Sequence, residues 1–176
     1  GYGGMIGAVS RFTNLGITAA AGRVAGAGEW NAHTDTDIAE VMGLLPDYAR
    51  PNAVFMCTPE FAGSVFMRLA RDKGGVTYDQ ARDGGYLMTY AGRPVITNNV
   101  MNATASTGTN TIDLLYGDMS RAADFADRLS LNLEVDRSVA FDQYAVAMRG
   151  VTRFGINVHD VGTTSAVGPV VYLYQT

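Results

Sequence analysis

The chain has 176 residues, 47% of them hydrophobic and 17% charged, with a formal net charge of −4; this suffices for one domain, or a compact domain with an appendage, and is short for two. The acidic balance excludes a protein built to grip nucleic-acid phosphates, because Lys73 and the scattered arginines form no basic run. A single cysteine, Cys57, excludes an internal disulfide, and the absence of a membrane-length apolar run or a hydrophobic leader predicts a soluble chain.

The chain starts at Gly1 without an initiator Met, which predicts a fragment or a processed product. Half of residues 1–28 are Gly or Ala, so the sequence specifies no firm helix or strand there beyond short pieces such as residues 16–20. The first clear element follows Trp30. Thr34 is a suitable N-cap, Asp35 and Asp37 suit the positive end of a helix dipole, and Ile38, Val41, Met42 and Leu45 fall at helical spacing before Pro46 ends the run.

Residues 53–57 read as a short buried strand that carries Cys57 as a small hydrophobe. Thr58 and Pro59 then begin a second helix as cap and first helical residue, with Phe61, Val65, Phe66 and Leu69 on one apolar face. The glycine-bearing stretch 71–85 reads as a long exposed loop. Beyond it the hydrophobic period changes to two.

Residues 94–97 and 112–116 are strand-like and are separated by a polar loop over 98–110. Leu131, Leu133 and Val135 alternate with Asn132, Glu134 and Asp136, which predicts a sheet with one wet face. Tyr144, Val146 and Met148 repeat the pattern, as do Phe154, Ile156 and Val158, and residues 170–174 form a last strand. A helix–strand–helix section followed by successive strands is an α+β pattern, not a regularly alternating doubly wound sheet.

No constellation for catalysis emerges. His33 and His159 lie on separate elements, outside any metal-ligand spacing, and read as surface or loop histidines. Gly26 and Gly28 imitate the start of a dinucleotide fingerprint, but Asn31 stands at the third glycine position and no strong strand is predicted before them. The carboxylates Asp118, Asp124, Asp127, Glu134, Asp136 and Asp142 are interleaved with Arg121, Arg128 and Arg137, which reads as a solvated or subunit-facing charged surface. No catalytic, cofactor-binding or metal-binding residue is assigned, and no cofactor is expected.

Four motifs in order resemble the C-terminal half of Hong Kong 97-type major capsid proteins of tailed phages. They are AVFMCTPEFAGSVFMRLARDKGG, then AGRPVITNNVM after a loop ending in GGYLMTY, then LLYGDMSRAADFADRLSLNLEVDR, then AFDQYAVAMRGVTRFGINVHD. In the family the third motif runs as a strand into Gly-Asp, a short strand, an Asp-Arg turn and a further strand; the fourth is a long returning strand. The earlier MIGAVSRFTNLGIT resembles the stretch that precedes this half.

The resemblance implies a Hong Kong 97-like α+β fold: a peripheral-domain segment over 1–29, an axial domain over 30–140 and returning peripheral strands over 141–176. It implies a structural role rather than an enzyme: a major capsid subunit that assembles with itself into pentamers and hexamers of an icosahedral phage or prophage shell. The implied location is the virion, after assembly in the host cytoplasm. Scaffolding and portal proteins are possible partners by the same resemblance, packaged DNA is met only non-specifically, and no membrane is involved. The family's N-terminal arm, long hairpin and spine helix would lie upstream of Gly1, and the isopeptide-forming Asn of some members aligns with Tyr144. Asp72, Lys73, Arg82 and Asp83 in the first polar loop, with Arg149 and Arg153 on the returning strand, are the candidate subunit-interface residues. An encapsulin-like compartment is the alternative within the same fold, and a small-molecule enzyme is the alternative from another class.

Overall fold

The computed structural model describes residues 7–26, 28–73, 76–80, 86–101, 110–136 and 146–176. Two sheets organise them. The larger has seven strands: β1 (Arg23–Gly26), β2 (Val54–Cys57), β3 (Val76–Gln80), β4 (Tyr86–Tyr90), β5 (Arg93–Thr97), β6 (Ile112–Gly117) and β9 (Val170–Gln175), in the order β1-β9-β6-β2-β5-β4-β3. The smaller is a ribbon of β7 (Ala123–Asp136) and β8 (Ala147–Val158).

In the large sheet β1 runs parallel to β9 and β2 parallel to β5, while the other described pairs are antiparallel. A mixed sheet of this kind fits the α+β expectation. Strands β6 and β9 are buried along their whole length because the sheet is covered on both faces. On one face lie α2 (Asp35–Leu44), α3 (Pro59–Phe61), a π-helical turn (Ala62–Phe66) and α4 (Met67–Lys73), closing a core of Trp30, Phe55, Phe61, Phe66, Tyr116 and Leu173. On the other, α1 (Ala8–Leu15) sets Phe12 against Tyr172 at 4.5 Å between ring centres, beside Ile112, Leu115, Val170 and Tyr174. Alternation along β6 and β9 supplies both cores from the same strands.

Local chemistry explains the helices. Thr34 and Asp37 form a reciprocal capping box: the Thr34 backbone N–H donates to Asp37 Oδ2 at 2.7 Å, and the Asp37 N–H donates to Thr34 Oγ1 at 3.4 Å. Thr58 Oγ1 caps the second helical run by accepting from the Phe61 N–H at 3.2 Å, with Pro59 at its first position. Phe61, Val65, Phe66 and Leu69 are all buried, as the sequence predicts. Cys57 is buried in β2, and loss of water pushes its thiol up to about 12, which suits a packing role.

Several expectations are corrected. The glycine-rich start does contain a helix and a strand, because β1 is held by its parallel pairing with β9, about 150 residues away in sequence, and α1 by Phe12 packing on Tyr172. The predicted loop over 71–85 is instead the end of α4 and the β3–β4 hairpin, although residues 74–75 and 81–85 lie outside the described set. Ala91 and Gly92, both at positive φ, close a two-residue turn between β4 and β5, and that turn extends the sheet toward β3. His33 is fully buried rather than at the surface. A strand, β1, does precede the glycines that imitate a dinucleotide fingerprint, but a Cβ on Gly26 would lie 2.3 Å from the His33 ring. Gly26 therefore makes room for a side chain, not a phosphate.

Sheet membership also cuts across the division at residues 29 and 140. β1 and β9 come from the two flanks yet hydrogen-bond into the same sheet as β2 and β6.

Candidate subunit interface

The ribbon leaves the large sheet at a fixed root. β6 ends at Gly117, whose φ of 151° brings its α-carbon against the Pro169–Val170 backbone. Asp118 then caps the four-residue helix α5 (Met119–Ala122), its Oδ1 accepting from the Ser120 N–H at 3.0 Å and the Ser120 hydroxyl at 2.6 Å. Arg121 Nε stands 3.4 Å from its other oxygen, and Asn52 Nδ2 3.5 Å. On return, the His159 and Asp160 amides both donate to the Ala122 carbonyl.

The Ser120 hydroxyl, with its amide, Asn52 and Arg121, holds the Asp118 carboxyl below the usual carboxylate range. A depressed carboxylate stabilises the fold above its unfolded-state value and loses that contribution as pH falls through its folded value. Asp118→Ala should therefore cost about 1 kcal/mol at neutral pH, the typical worth of such a cap. The gap from the parent should narrow as pH falls through the depressed value of this carboxyl, measured by chemical denaturation across the acid range. Of the clustered carboxylates, Asp118 is therefore buried and structural rather than solvated.

Beyond the root, β7 and β8 pair over Ala123–Asp136 and Ala147–Val158, with register shifts between Asp127 and Leu129 and between Leu129 and Asn132. The expected Asp-Arg turn is thus an irregularity within one long strand. One extra residue would swap the faces of every residue after it; two restore them. Phe125, Leu131, Leu133 and Val135 consequently share a face with Met148, Phe154 and Ile156. Phe125 and Phe154 stack at 6.0 Å between ring centres, and a Cβ on Gly150 would lie 3.5–3.6 Å from the side chains of Leu131 and Leu133, confirming that these lean across the strand pair. The opposite face carries Asp124, Asn132, Glu134 and Asp136 with Arg149 and Arg153.

The alternation was legible, and its consequence was not. Phe125, Leu131, Leu133, Val135, Met148 and Phe154 stand between 51% and 73% exposed. Among the described residues nothing covers the dry face of the ribbon. A row of large apolar side chains left in water on one face of a two-stranded sheet marks an interaction surface, since an isolated hairpin stabilises itself only marginally.

The six predicted interface residues fall in separate places. Arg149 and Arg153 are exposed on the polar side of the ribbon, Arg149 directly opposite Glu134 and Arg153 opposite Leu129. Asp72 is exposed at the end of α4, and Lys73 is that helix's last residue. Arg82 and Asp83 lie outside the described residues, as does Tyr144. The apolar row is not among these six, although its alternation is read from the sequence; the signal for an interface was the length of the alternating run, longer than one buried edge of a small sheet needs.

Among the described residues no group of three or more His, Cys, Asp and Glu is placed to hold a metal, and no helix is long and apolar enough to cross a membrane. A shallow cleft of about 230 Å³ lies at the ribbon root between Arg11, Asn14 and His159.

The phage capsid family model matches residues 6–163. The chain belongs to the phage capsid family. Its fold is Hong Kong 97-like, shared with solved capsids. It superposes on the capsid of an empty GTA particle, computed with C5 symmetry, at a TM-score of 0.59 with 21% identity, over 88% of this chain and 48% of that one. The capsid of Cyanophage P-SCSP1u gives a TM-score of 0.52 at 19% identity over 88% and 53%, and the holo-SrpI encapsulin complex from Synechococcus elongatus PCC 7942 gives 0.55 at 14% over 87% and 52%. The chain thus spans about half the length of these structures. No curated protein matches it.

Proposed function

We propose that this chain is the shell-forming part of a major capsid subunit, a structural protein that assembles with copies of itself into five- and six-membered rings of a closed icosahedral shell. The observation that carries this reading is the uncovered apolar face of the ribbon on a chain of the phage capsid family. Such a face is costly on a free monomer and is offset when neighbours bury it. In this reading the seven-stranded body takes the axial role around the ring and the ribbon the peripheral role. That division follows sheet membership rather than the cuts at 29 and 140. The protein resides in the virion after assembly in the host cytoplasm, with scaffolding and portal proteins as assembly partners and packaged DNA met without sequence preference.

Electron microscopy of the full-length product tests it: hollow shells are expected, and a monomer or small oligomer at high concentration overturns it. The encapsulin likeness supports a second reading, a compartment that encloses protein cargo. Nucleic acid or protein inside purified particles separates the two. Asp72, Lys73, Arg82 and Asp83 belong, in this proposal, to the surface that meets its copies near the ring axis. Arg82→Glu should reduce ring assembly at least tenfold at low salt, by light scattering, with partial recovery in an Asp83→Arg background. Unchanged assembly would remove this segment from the interface.

A further inference from the structure

Among the described residues, no element of the body packs along the length of β7 or β8. The direction in which the ribbon leaves the body is therefore set at its root. A paired, two-stranded arm amplifies whatever happens there. At about 3.4 Å per residue Asn132 stands about 30 Å out from Ala123, so a tilt of about 10° at the root moves it about 5 Å.

The root is braced differently from the two faces of the large sheet. On the α1 face, Ala122, Val158 and Val161 are buried in the same core as Phe12. The other brace is Tyr48, in the 3-10 turn Asp47–Ala49 that follows α2; its neighbour Ala49 belongs to the core on the α2 face. The Arg121 guanidinium lies over the Tyr48 ring, 5.7 Å from its centre, within the range of a cation–π contact. Arg121 is itself anchored, its Nε 3.4 Å from Asp118 Oδ2, and the same oxygen is met from the body by Asn52 Nδ2 at 3.5 Å.

The returning limb acts on the same ring. Loss of water and then the charge of Asp160, just past the end of β8, push the Tyr48 phenol above its ordinary value, and Arg121 draws it back. One aromatic ring of the body thus feels a charge from each limb of the ribbon. Tyr48 is 49% exposed, so it adds little to the core, and its place is explained by what it meets.

We propose that Tyr48 is a positioning residue, a stop that fixes the angle between ribbon and body by stacking against Arg121. The stop works within one chain; it goes beyond the shell reading and holds whether or not shells form. Without the ring, the α1 side of the root stays packed while the opposite side has nothing to limit its swing.

Spin labels at Glu40→Cys on α2 and Asn132→Cys on the ribbon, both exposed positions, report the angle as a distance by pulsed electron paramagnetic resonance of the unassembled protein. Cys57 is buried and stays unlabelled. The parent should give one narrow distance distribution, and Tyr48→Ala should broaden or shift it by at least about 5 Å. Tyr48→Phe, which keeps the ring, should match the parent. Arg121→Met removes the other half of the stack and should loosen the ribbon as Tyr48→Ala does. The thermal midpoint of Tyr48→Ala should stay within about 2 °C of the parent, which separates a change of angle from a loss of fold. A parent-like distribution in Tyr48→Ala or in Arg121→Met, an equal broadening in Tyr48→Phe, or broadening that comes only with a larger fall in the midpoint would overturn the proposal.

Discussion

Leu133→Asp combined with Phe154→Asp should abolish shell formation by the full-length protein while leaving the thermal midpoint of the folded body within about 2 °C of the parent. Both side chains lie on the apolar face of the ribbon and more than half of each is exposed, so neither contributes much to the stability of an isolated subunit. At a contact between subunits the account reverses. Burying one large apolar side chain is worth about 1.5–3 kcal/mol, and forcing an unpaired carboxylate into the same place adds a desolvation cost. Two such changes remove at least about 5 kcal/mol per contact, roughly three to four powers of ten in association. Arg149→Glu and Arg153→Glu, on the opposite and solvated face, should weaken assembly far less and in a salt-dependent way. Particle counts by electron microscopy and sedimentation, beside a melting curve, check both arms. Normal shells from the doubly charged variant would show that the apolar face is not a subunit contact.

Gly117→Ala is the second large effect, and it acts on folding. A Cβ there would lie 2.2 Å from the Pro169 carbonyl oxygen and 2.7 Å from the Val170 α-carbon. Both are backbone atoms of the chain entering a central strand, so neither can swing aside, and φ at 151° is itself costly for alanine. We expect a loss of about 3 kcal/mol or more, in the range of strained core substitutions. Gly43→Ala is the internal control. Gly43 lies within α2 with open space around its α-carbon, and the same substitution should stabilise by about 0.5–1 kcal/mol. Urea denaturation of the two variants should move in opposite directions; equal destabilisation would mean that the packing at the ribbon root is not the cause.

Where chemistry acts over a few residues, the sequence carried the structure. Thr34 with Asp37, and Thr58 with Pro59, mark helix starts because a hydroxyl three residues before an amide is all that a cap needs. The apolar face of Phe61–Leu69 and the strand at residues 112–116 were legible because both patterns depend only on local geometry. The order of four motifs pointed to the family, and the family match over residues 6–163 agrees with it.

What could not be read depends on partners distant in the chain. β1 is four residues with two glycines at or beside its ends; it is a strand because β9, at the other end of the sequence, lies beside it. His33 is buried because a bulge at residue 113 and a missing side chain at residue 26 make a space for it, and neither reveals its purpose in isolation. The alternation over residues 131–136 fixes which side chains share a face, but not whether anything covers that face. By itself the sequence determined the family, the α+β class and the residues that face together. Only the tertiary structure decided that the described residues leave the long ribbon's dry face open, because burial is a property of what lies opposite a surface and not of the strand that carries it.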